Sequence, residues 1–148
     1  MLKQAIASVL FCFTALGAYA EVVNVDNAEL ARLAASGVPV IDVRTEGEWK
    51  QSGVISGSKL LTYFDEQGNV DQPAWLAQVK KYAKADQPVI LICRSGRRSD
   101  AASQFLSQQA GYKTVYNANG GMNAWSKEGR AVVPPASALA GCAAGAKC

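Results

Sequence analysis

A cysteine with three arginines close behind it is the strongest chemical feature of the sequence. The residues that follow Cys93 are, in order, Arg94, Ser95, Gly96, Arg97, Arg98 and Ser99. A thiol that faces positive charge and backbone N–H groups is shifted towards the thiolate, which is its nucleophilic form. The arginines also suit an anionic substrate, because guanidinium groups bind oxyanions through charge-assisted hydrogen bonds. The segment therefore predicts nucleophilic chemistry on a small anion.

The residues on either side of this segment predict a strand before it and a helix after it. Residues 89–92 form a continuous apolar run, which is typical of a buried strand in a parallel sheet. Residues 99–109 have a helical pattern, Gly96 allows a tight turn, and Ser99 is placed to cap the helix. Ligands of open α/β sheets bind beyond the carboxyl ends of the strands, where the N–H groups of an opening helix favour anions. We therefore expect Cys93 to be the catalytic residue and the six residues after it to bind the substrate.

Strand and helix patterns alternate along the rest of the chain. Asp26, with Glu29 three residues later, matches a capping box at the start of the first helix. The alternation predicts one α/β domain with a mainly parallel sheet. The other extended runs are expected at residues 22–25, 38–43, 54–61 and 114–116, and the other helices at 45–51, near 73–84 and at 122–127.

Two opposite charges stand at the end of the second predicted strand. Asp42 and Arg44 are separated by one residue, so a carboxylate and a guanidinium lie close together there. Such a pair can fix the neighbouring loop when it is taken out of water. We expect both residues to be structural rather than catalytic.

Three motifs together resemble the rhodanese family. The segment from Cys93 to Ser99 is similar to that family's active-site loop, Cys-Arg-x-Gly-x-Arg-Ser. The second match is Asp42-Val43-Arg44 with Glu48 and Trp49, which is similar to the family's Asp-Val-Arg motif. The third is Gly120-Gly121-Met122 with Trp125 and Gly129, which is similar to the family's closing Gly-Gly segment. The resemblance covers residues 22–133 and implies a three-layer α/β/α fold around a mainly parallel five-stranded sheet.

One family position differs in this chain. Many members have Gly-His-Ile after the Asp-Val-Arg motif, whereas this sequence has Gly53-Val54-Ile55 and contains no histidine. No role that depends on that histidine transfers to this protein. The lack of histidine also removes imidazole metal sites and every Cys/His catalytic pair.

The resemblance implies a sulfurtransferase. Sulfane sulfur from a small anionic donor such as thiosulfate would be held as a persulfide on Cys93 and passed to a thiol or protein-thiol acceptor. This is covalent catalysis in two halves, for which ping-pong kinetics are expected. No metal or organic cofactor is implied. A net charge of +3 without a basic cluster predicts no nucleic-acid partner.

Two alternative functions remain open. A phosphatase or arsenate reductase on the same scaffold needs an arginine six positions after the cysteine, and this sequence has Ser99 there, with Arg98 one residue early. A thiol redox protein or persulfide carrier would instead use the two cysteines near the C-terminus. A binding module without catalysis is disfavoured because the cysteine is present.

The first 20 residues have the pattern of a secretory signal peptide. Lys3 supplies the positive charge, residues 5–16 are almost wholly apolar, and Ala18-Tyr19-Ala20 is typical of a cleavage site. The apolar run is shorter than the roughly 20 residues that span a bilayer. The sequence therefore predicts cleavage after Ala20, a periplasmic or secreted protein, and no stable membrane contact afterwards.

The chain is expected to form a rhodanese-like domain at residues 21–133, followed by a flexible tail at 134–148 that is rich in alanine and glycine. Cys142 and Cys148 lie in this tail, separated by small residues that let the two thiols approach. Thiols in an oxidising compartment tend to pair. We therefore expect a reversible disulfide between Cys142 and Cys148 that leaves Cys93 outside it.

Overall fold

The computed structural model describes residues 20–140. The predicted signal peptide at 1–20, apart from Ala20, lies outside the described residues, as do both tail cysteines and the disulfide predicted between them. The strands are β1 (Val22–Val25), β2 (Val40–Asp42), β3 (Lys59–Leu60), β4 (Val89–Ile92) and β5 (Val115–Ala118). The helices are α1 (Asn27–Ala35), α2 (Glu46–Ser52), α3 (Gln72–Val79), α4 (Arg97–Gln108), α5 (Gly121–Lys127) and α6 (Pro135–Ala140).

The five strands form one sheet in the order β1-β5-β4-β2-β3. Every pair of neighbouring strands is parallel, so the chain returns through helices between strands. All four residues of β4 are buried, as expected for the central strand. The predicted α/β fold with a five-stranded, mainly parallel sheet is confirmed.

Helices cover both faces of the sheet. Alternate residues of a strand point to opposite faces, and β4 shows this directly. Val89, Leu91 and Cys93 pack with residues of α3 and α4, whereas Ile90 and Ile92 pack with residues of α1 and α5. Cys93 therefore leaves the sheet on the side that α4 covers.

Several element boundaries differ from the sequence expectations. Helix α3 ends at Val79, and β3 contains only two residues of the extended run expected at 54–61. Within that run, Val54 makes a single antiparallel bridge to Val133. The predicted capping box at Asp26 is half formed, because Asp26 accepts the N–H of Glu29 while the Glu29 carboxylate pairs with Arg32.

The expectation of a flexible tail from residue 134 is corrected for residues 135–140. These residues form α6, and Ala138 is buried in a small cluster with Trp49 and Val54. The bridge between Val54 and Val133 brings the chain to this cluster just before α6 begins. No helix described between residues 20 and 140 is long and apolar enough to cross a membrane.

Candidate active site

Cys93 lies at the carboxyl end of β4, in a loop that leads directly into α4. We refer to residues 93–99 as the Cys93 loop. The thiol has no solvent-exposed surface, and its Sγ atom accepts the N–H of Gly96 at 3.1 Å. Gly96 has a φ of +95°, a left-handed conformation that favours glycine. This backbone turn aims the start of the helix at the sulfur.

Helix α4 begins at Arg97 with Gly96 as its N-cap, so Ser99 is not the cap that the sequence predicted. Ser99 lies inside the first turn, fully buried. Its Oγ atom is 3.4 Å from Cys93 Sγ and 2.7 Å from Asn117 Oδ1. The hydroxyl therefore serves the site rather than the helix end.

The environment of the thiol lowers its pKa. Burial raises the pKa of Cys93, but hydrogen bonds from the Ser99 hydroxyl and from the N–H groups of Ser99, Ser95 and Gly96 outweigh it. The net result is a pKa below the ordinary cysteine value. A thiol in this setting can supply a thiolate nucleophile.

The three arginines of the Cys93 loop have different surroundings. Arg98 donates from both terminal nitrogens to the Glu48 carboxylate of α2, at 2.8 and 2.6 Å. This pairing raises the pKa of Arg98, to which the nearby Cys93 also contributes. Arg94 and Arg97 are exposed and make no ion pair within the described residues. Two of the three predicted substrate-binding cations are therefore available to a ligand.

A cleft of about 400 Å³ opens beside the loop. It is lined by Phe64, Arg94, Ser95, Arg97 and Arg98, so its wall is mainly cationic. Together with the N–H groups of the loop, this wall can bind a small oxyanion next to the thiol.

The Gly-Gly segment after β5 holds the Cys93 loop from the other side. The N–H of Met122 donates to the carbonyl of Cys93 at 2.8 Å, and the N–H of Asn123 donates to that of Arg94 at 2.9 Å. Gly121 has a φ of +56°, and a Cβ atom there would lie 2.3 Å from the Cys93 carbonyl oxygen. Only glycine lets the two backbones approach this closely.

Asp42 and Arg44 form the ion pair expected from the sequence. Arg44 Nη2 is 2.7 Å from Asp42 Oδ2, and both side chains are buried. The guanidinium also donates to Ser52 Oγ at 2.6 Å and to the Gly53 carbonyl at 2.7 Å. The pair thus ties the end of β2 to the end of α2.

Sequence reasoning missed the site contributions of Glu48, Asn117 and Phe64. Glu48 was noted only as part of a motif, although its position three residues after Thr45 also suits a capping box. Asn117 is a polar residue in the otherwise apolar β5, which is a signal for a buried polar contact. Phe64 has no local signal. Within residues 20–140, no group of His, Cys, Asp and Glu side chains is arranged to hold a metal ion.

The fold and the site define an α/β domain with a thiol of lowered pKa between the end of a central strand and the start of a helix. Residues 26–128 match the family model of the Rhodanese-like domain. The chain belongs to this family.

Relatives in the family carry sulfurtransferase names. The chain is 36% identical over 109 residues to Thiosulfate sulfurtransferase 18 of Arabidopsis thaliana, covering 71% of this chain and 79% of the relative. It is 33% identical over 98 residues to a sulfurtransferase of Allochromatium vinosum, covering 66% and 80%. A crystal structure of a rhodanese-related protein from Thermoplasma volcanium superposes with a TM-score of 0.57 at 30% identity, covering 75% of this chain and 97% of that one.

Proposed function

We propose that this protein is a sulfurtransferase that carries sulfane sulfur as a persulfide on Cys93. The observation that carries the proposal is the Cys93 sulfur, which accepts the N–H of Gly96 at 3.1 Å beside a cationic cleft. The sulfurtransferase names of its relatives support the same chemistry. Thiosulfate is the donor that we propose for the first half-reaction.

In the first half-reaction, the Cys93 thiolate attacks the outer sulfur of thiosulfate. The S–S bond of the donor breaks, its electron pair leaves with sulfite, and a new S–S bond forms on Cys93. Arg94 and Arg97 attract the dianionic donor and the departing sulfite. The loop N–H groups that already face the sulfur stabilise the anionic persulfide.

In the second half-reaction, a thiolate acceptor attacks the terminal sulfur of the persulfide. The Cys93 thiolate leaves with the electron pair, so the resting protein is regenerated and the acceptor becomes a persulfide. The bond that breaks is the S–S bond that the first half-reaction formed on Cys93. Cys93 is therefore the leaving group, and the environment that lowers its pKa makes it leave faster.

Peptide mapping after incubation with thiosulfate tests this proposal. Trypsin releases residues 85–94 as a peptide whose one cysteine is Cys93, while Cys142 falls in the separate peptide 131–147. We expect a gain of one sulfur on peptide 85–94, sensitive to cyanide. Cys93→Ser should remove both this gain and the turnover of thiosulfate while leaving the unfolding midpoint near that of the parent protein. Undiminished turnover in a folded Cys93→Ser protein would overturn the assignment.

We also propose that the tail cysteines take sulfur from Cys93. Helix α6 ends at Ala140, and its Ala138 shares a buried cluster with Trp49 of α2, the helix whose Glu48 binds the Cys93 loop. Packed helices lie about 8–10 Å apart, whereas the eight residues after Ala140 can extend about 26 Å. This length supports the proposal for Cys148, the last residue of the tail.

The proposed transfer of sulfur from Cys93 to the tail consists of two displacement steps. The Cys148 thiolate takes the terminal sulfur from Cys93, and the Cys142 thiolate then attacks the inner sulfur of the Cys148 persulfide. The products are a Cys142–Cys148 disulfide and hydrosulfide, and an external dithiol must reduce the disulfide before the next turn. Cys142→Ser should stop hydrosulfide release while peptide 85–94 still gains sulfur. Equal hydrosulfide release from the parent and Cys142→Ser proteins would exclude this route.

A further inference from the structure

The hydroxyl of Ser99 lies among three acceptors but carries one hydrogen. Its Oγ atom is 3.4 Å from Cys93 Sγ, 3.2 Å from the Gly96 carbonyl oxygen and 2.7 Å from Asn117 Oδ1. A hydroxyl can donate to only one of these at a time. The contact with Asn117 has the usual length of an O–H···O hydrogen bond, whereas the sulfur contact is longer, so Asn117 is the favoured acceptor and Cys93 the weaker one.

Asn117 is itself held in place. Its side-chain Nδ2 donates to Asn24 Oδ1 at 2.8 Å, and the two asparagines are direct cross-strand neighbours in β5 and β1. This contact turns the amide oxygen of Asn117 towards Ser99. Asn117 is 4% exposed, and among the described residues the Ser99 hydroxyl is the donor to its oxygen. A buried acceptor that loses its donor is costly, so the hydroxyl does not turn to the sulfur freely.

We propose that Asn117 is a positioning residue that competes with the Cys93 sulfur for the single hydroxyl hydrogen of Ser99. The backbone N–H groups of the Cys93 loop are fixed donors to the sulfur, whereas the Ser99 hydroxyl must first leave Asn117. Asn117 therefore keeps the thiolate less stabilised and more nucleophilic than the loop alone would make it, since nucleophilicity falls as a thiolate is stabilised. The inference rests on the proposed function only in taking Cys93 as the working thiol.

The charged groups around the thiol keep their charge while it titrates. Arg98 of α4 faces Cys93 and is paired with Glu48 of α2. The Arg98 hydrogen bond holds the pKa of Glu48 at about 2, and the pKa of Arg98 is raised above its ordinary value. Arg94 and Arg97 are the other charged side chains of the loop. A titration between about pH 5 and pH 10 therefore reports the Cys93 thiol.

The rate of alkylation of Cys93 by iodoacetamide, measured against pH in the full chain, tests the competition. Modification of tryptic peptide 85–94 isolates Cys93 from the other thiols. Asn117→Asp replaces the amide oxygen by a carboxylate, which accepts the Ser99 hydrogen more strongly. The midpoint of the alkylation rate against pH should therefore rise by about one pH unit. Asn117→Leu removes the acceptor and frees the hydroxyl for the sulfur, so the midpoint should fall. Asn117→Ala provides the same comparison if Asn117→Leu does not fold.

Two further variants separate positioning from packing. In a Ser99→Ala background, Asn117→Leu should no longer lower the midpoint, because the hydroxyl through which it acts is gone. Ser103→Ala is the matched control, since Ser103 is a buried hydroxyl on the same helix that has no hydrogen-bond partner among residues 20–140. It should titrate like the parent protein.

Three results would overturn the proposal. The first is an alkylation midpoint that does not move in either Asn117 variant. The second is a shift of the midpoint in the same direction in Asn117→Asp and Asn117→Leu. The third is a lowering of the midpoint by Asn117→Leu that persists in the Ser99→Ala background. Alkylation needs no sulfur donor, so it is independent of the sulfurtransferase test. Opposite shifts in a protein that never gains sulfur from thiosulfate would uphold the positioning role and reject the proposed function.

Discussion

The Glu48 carboxylate accepts two hydrogen bonds from the Arg98 guanidinium, and this ion pair joins α2 to the first turn of α4. Glu48 Oε1 lies 2.6 Å from Arg98 Nη2, and Oε2 lies 2.8 Å from Nη1. The same Oε2 atom accepts the N–H of Thr45 at 3.1 Å. One carboxylate thus caps its own helix and holds a cation beside the reactive thiol, across a sequence separation of 50 residues.

Glu48→Gln should destabilise the protein at neutral pH. The pair is half-buried, with 30% and 21% of the two side chains exposed, so we expect a loss of about 1 kcal/mol in unfolding free energy after allowance for solvent screening. Urea unfolding at pH 7 measures it. Glu46→Gln is the control, because the Glu46–Lys50 pair on the same helix is largely exposed and should matter little. Equal unfolding midpoints for the two variants would contradict the assignment.

The stabilisation by Glu48 should disappear in acid. The Arg98 hydrogen bond lowers the pKa of Glu48 from 4.5 to about 2. A carboxyl whose pKa is lowered on folding stabilises the protein above its unfolded pKa and loses this contribution as the pH falls towards its folded pKa. Urea midpoints of the parent and Glu48→Gln proteins should therefore converge between about pH 4.5 and pH 2. If the difference in urea midpoint between the two proteins stays constant over this range, the ion pair is not the source of the stabilisation.

Gly121→Ala should damage both stability and activity. A Cβ atom at this position would lie 2.3 Å from the Cys93 carbonyl oxygen, and the backbone there has a φ of +56°. The Cys93 loop would have to move, so we expect a loss of several kcal/mol in unfolding free energy and little sulfur transfer.

Gly129→Ala provides the control for the backbone conformation alone. Gly129 has a φ of +66°, and a Cβ atom there would meet nothing within 4 Å. Gly129→Ala should lower the unfolding free energy by about 1–2 kcal/mol, which is the usual penalty for a non-glycine residue in the left-handed conformation. If the two variants are equally stable and equally active, the close approach at Gly121 has no role.

Phosphatase activity should be near background. Position 99, where phosphatases of this scaffold need an arginine, holds a serine with no exposed surface. Arg98, one residue earlier, is engaged by Glu48. Hydrolysis of an aryl phosphate, compared with thiosulfate turnover in the same preparation, measures this. A phosphatase rate that rivals sulfur transfer would reverse the choice between the two functions.

We propose that the protein is exported and cleaved after Ala20. The start of the first strand supports this, because β1 begins at Val22, two residues beyond the proposed cleavage site. The intact mass of protein recovered from a secreting host should correspond to a chain that starts at Glu21. A mass that retains residues 1–20 would contradict the prediction.

The fold and the identity of the central thiol could be predicted because their signals are local. Parallel strands buried on both faces have continuous apolar runs, and β4 followed by Cys93 and Gly96 is such a run ending in a turn. The loop N–H groups come from the same few residues as the thiol, so their convergence on the sulfur needs little beyond a strand, a turn and a helix. The ion pair of Asp42 and Arg44 spans one intervening residue and was predictable for the same reason.

The remaining features of the site depend on elements that are distant in the chain. Glu48 meets Arg98 only because the β2–β4 pairing sets α2 beside α4, and this removes one of three arginines from the charge available to a ligand. Asn117 reaches Ser99 only because β5 lies next to β4 in the sheet. Side-chain partners such as these are fixed by sheet order and helix packing, which local patterns do not encode. The sequence alone therefore determined the fold class and pointed to the thiol, whereas the tertiary structure decided which neighbours face it.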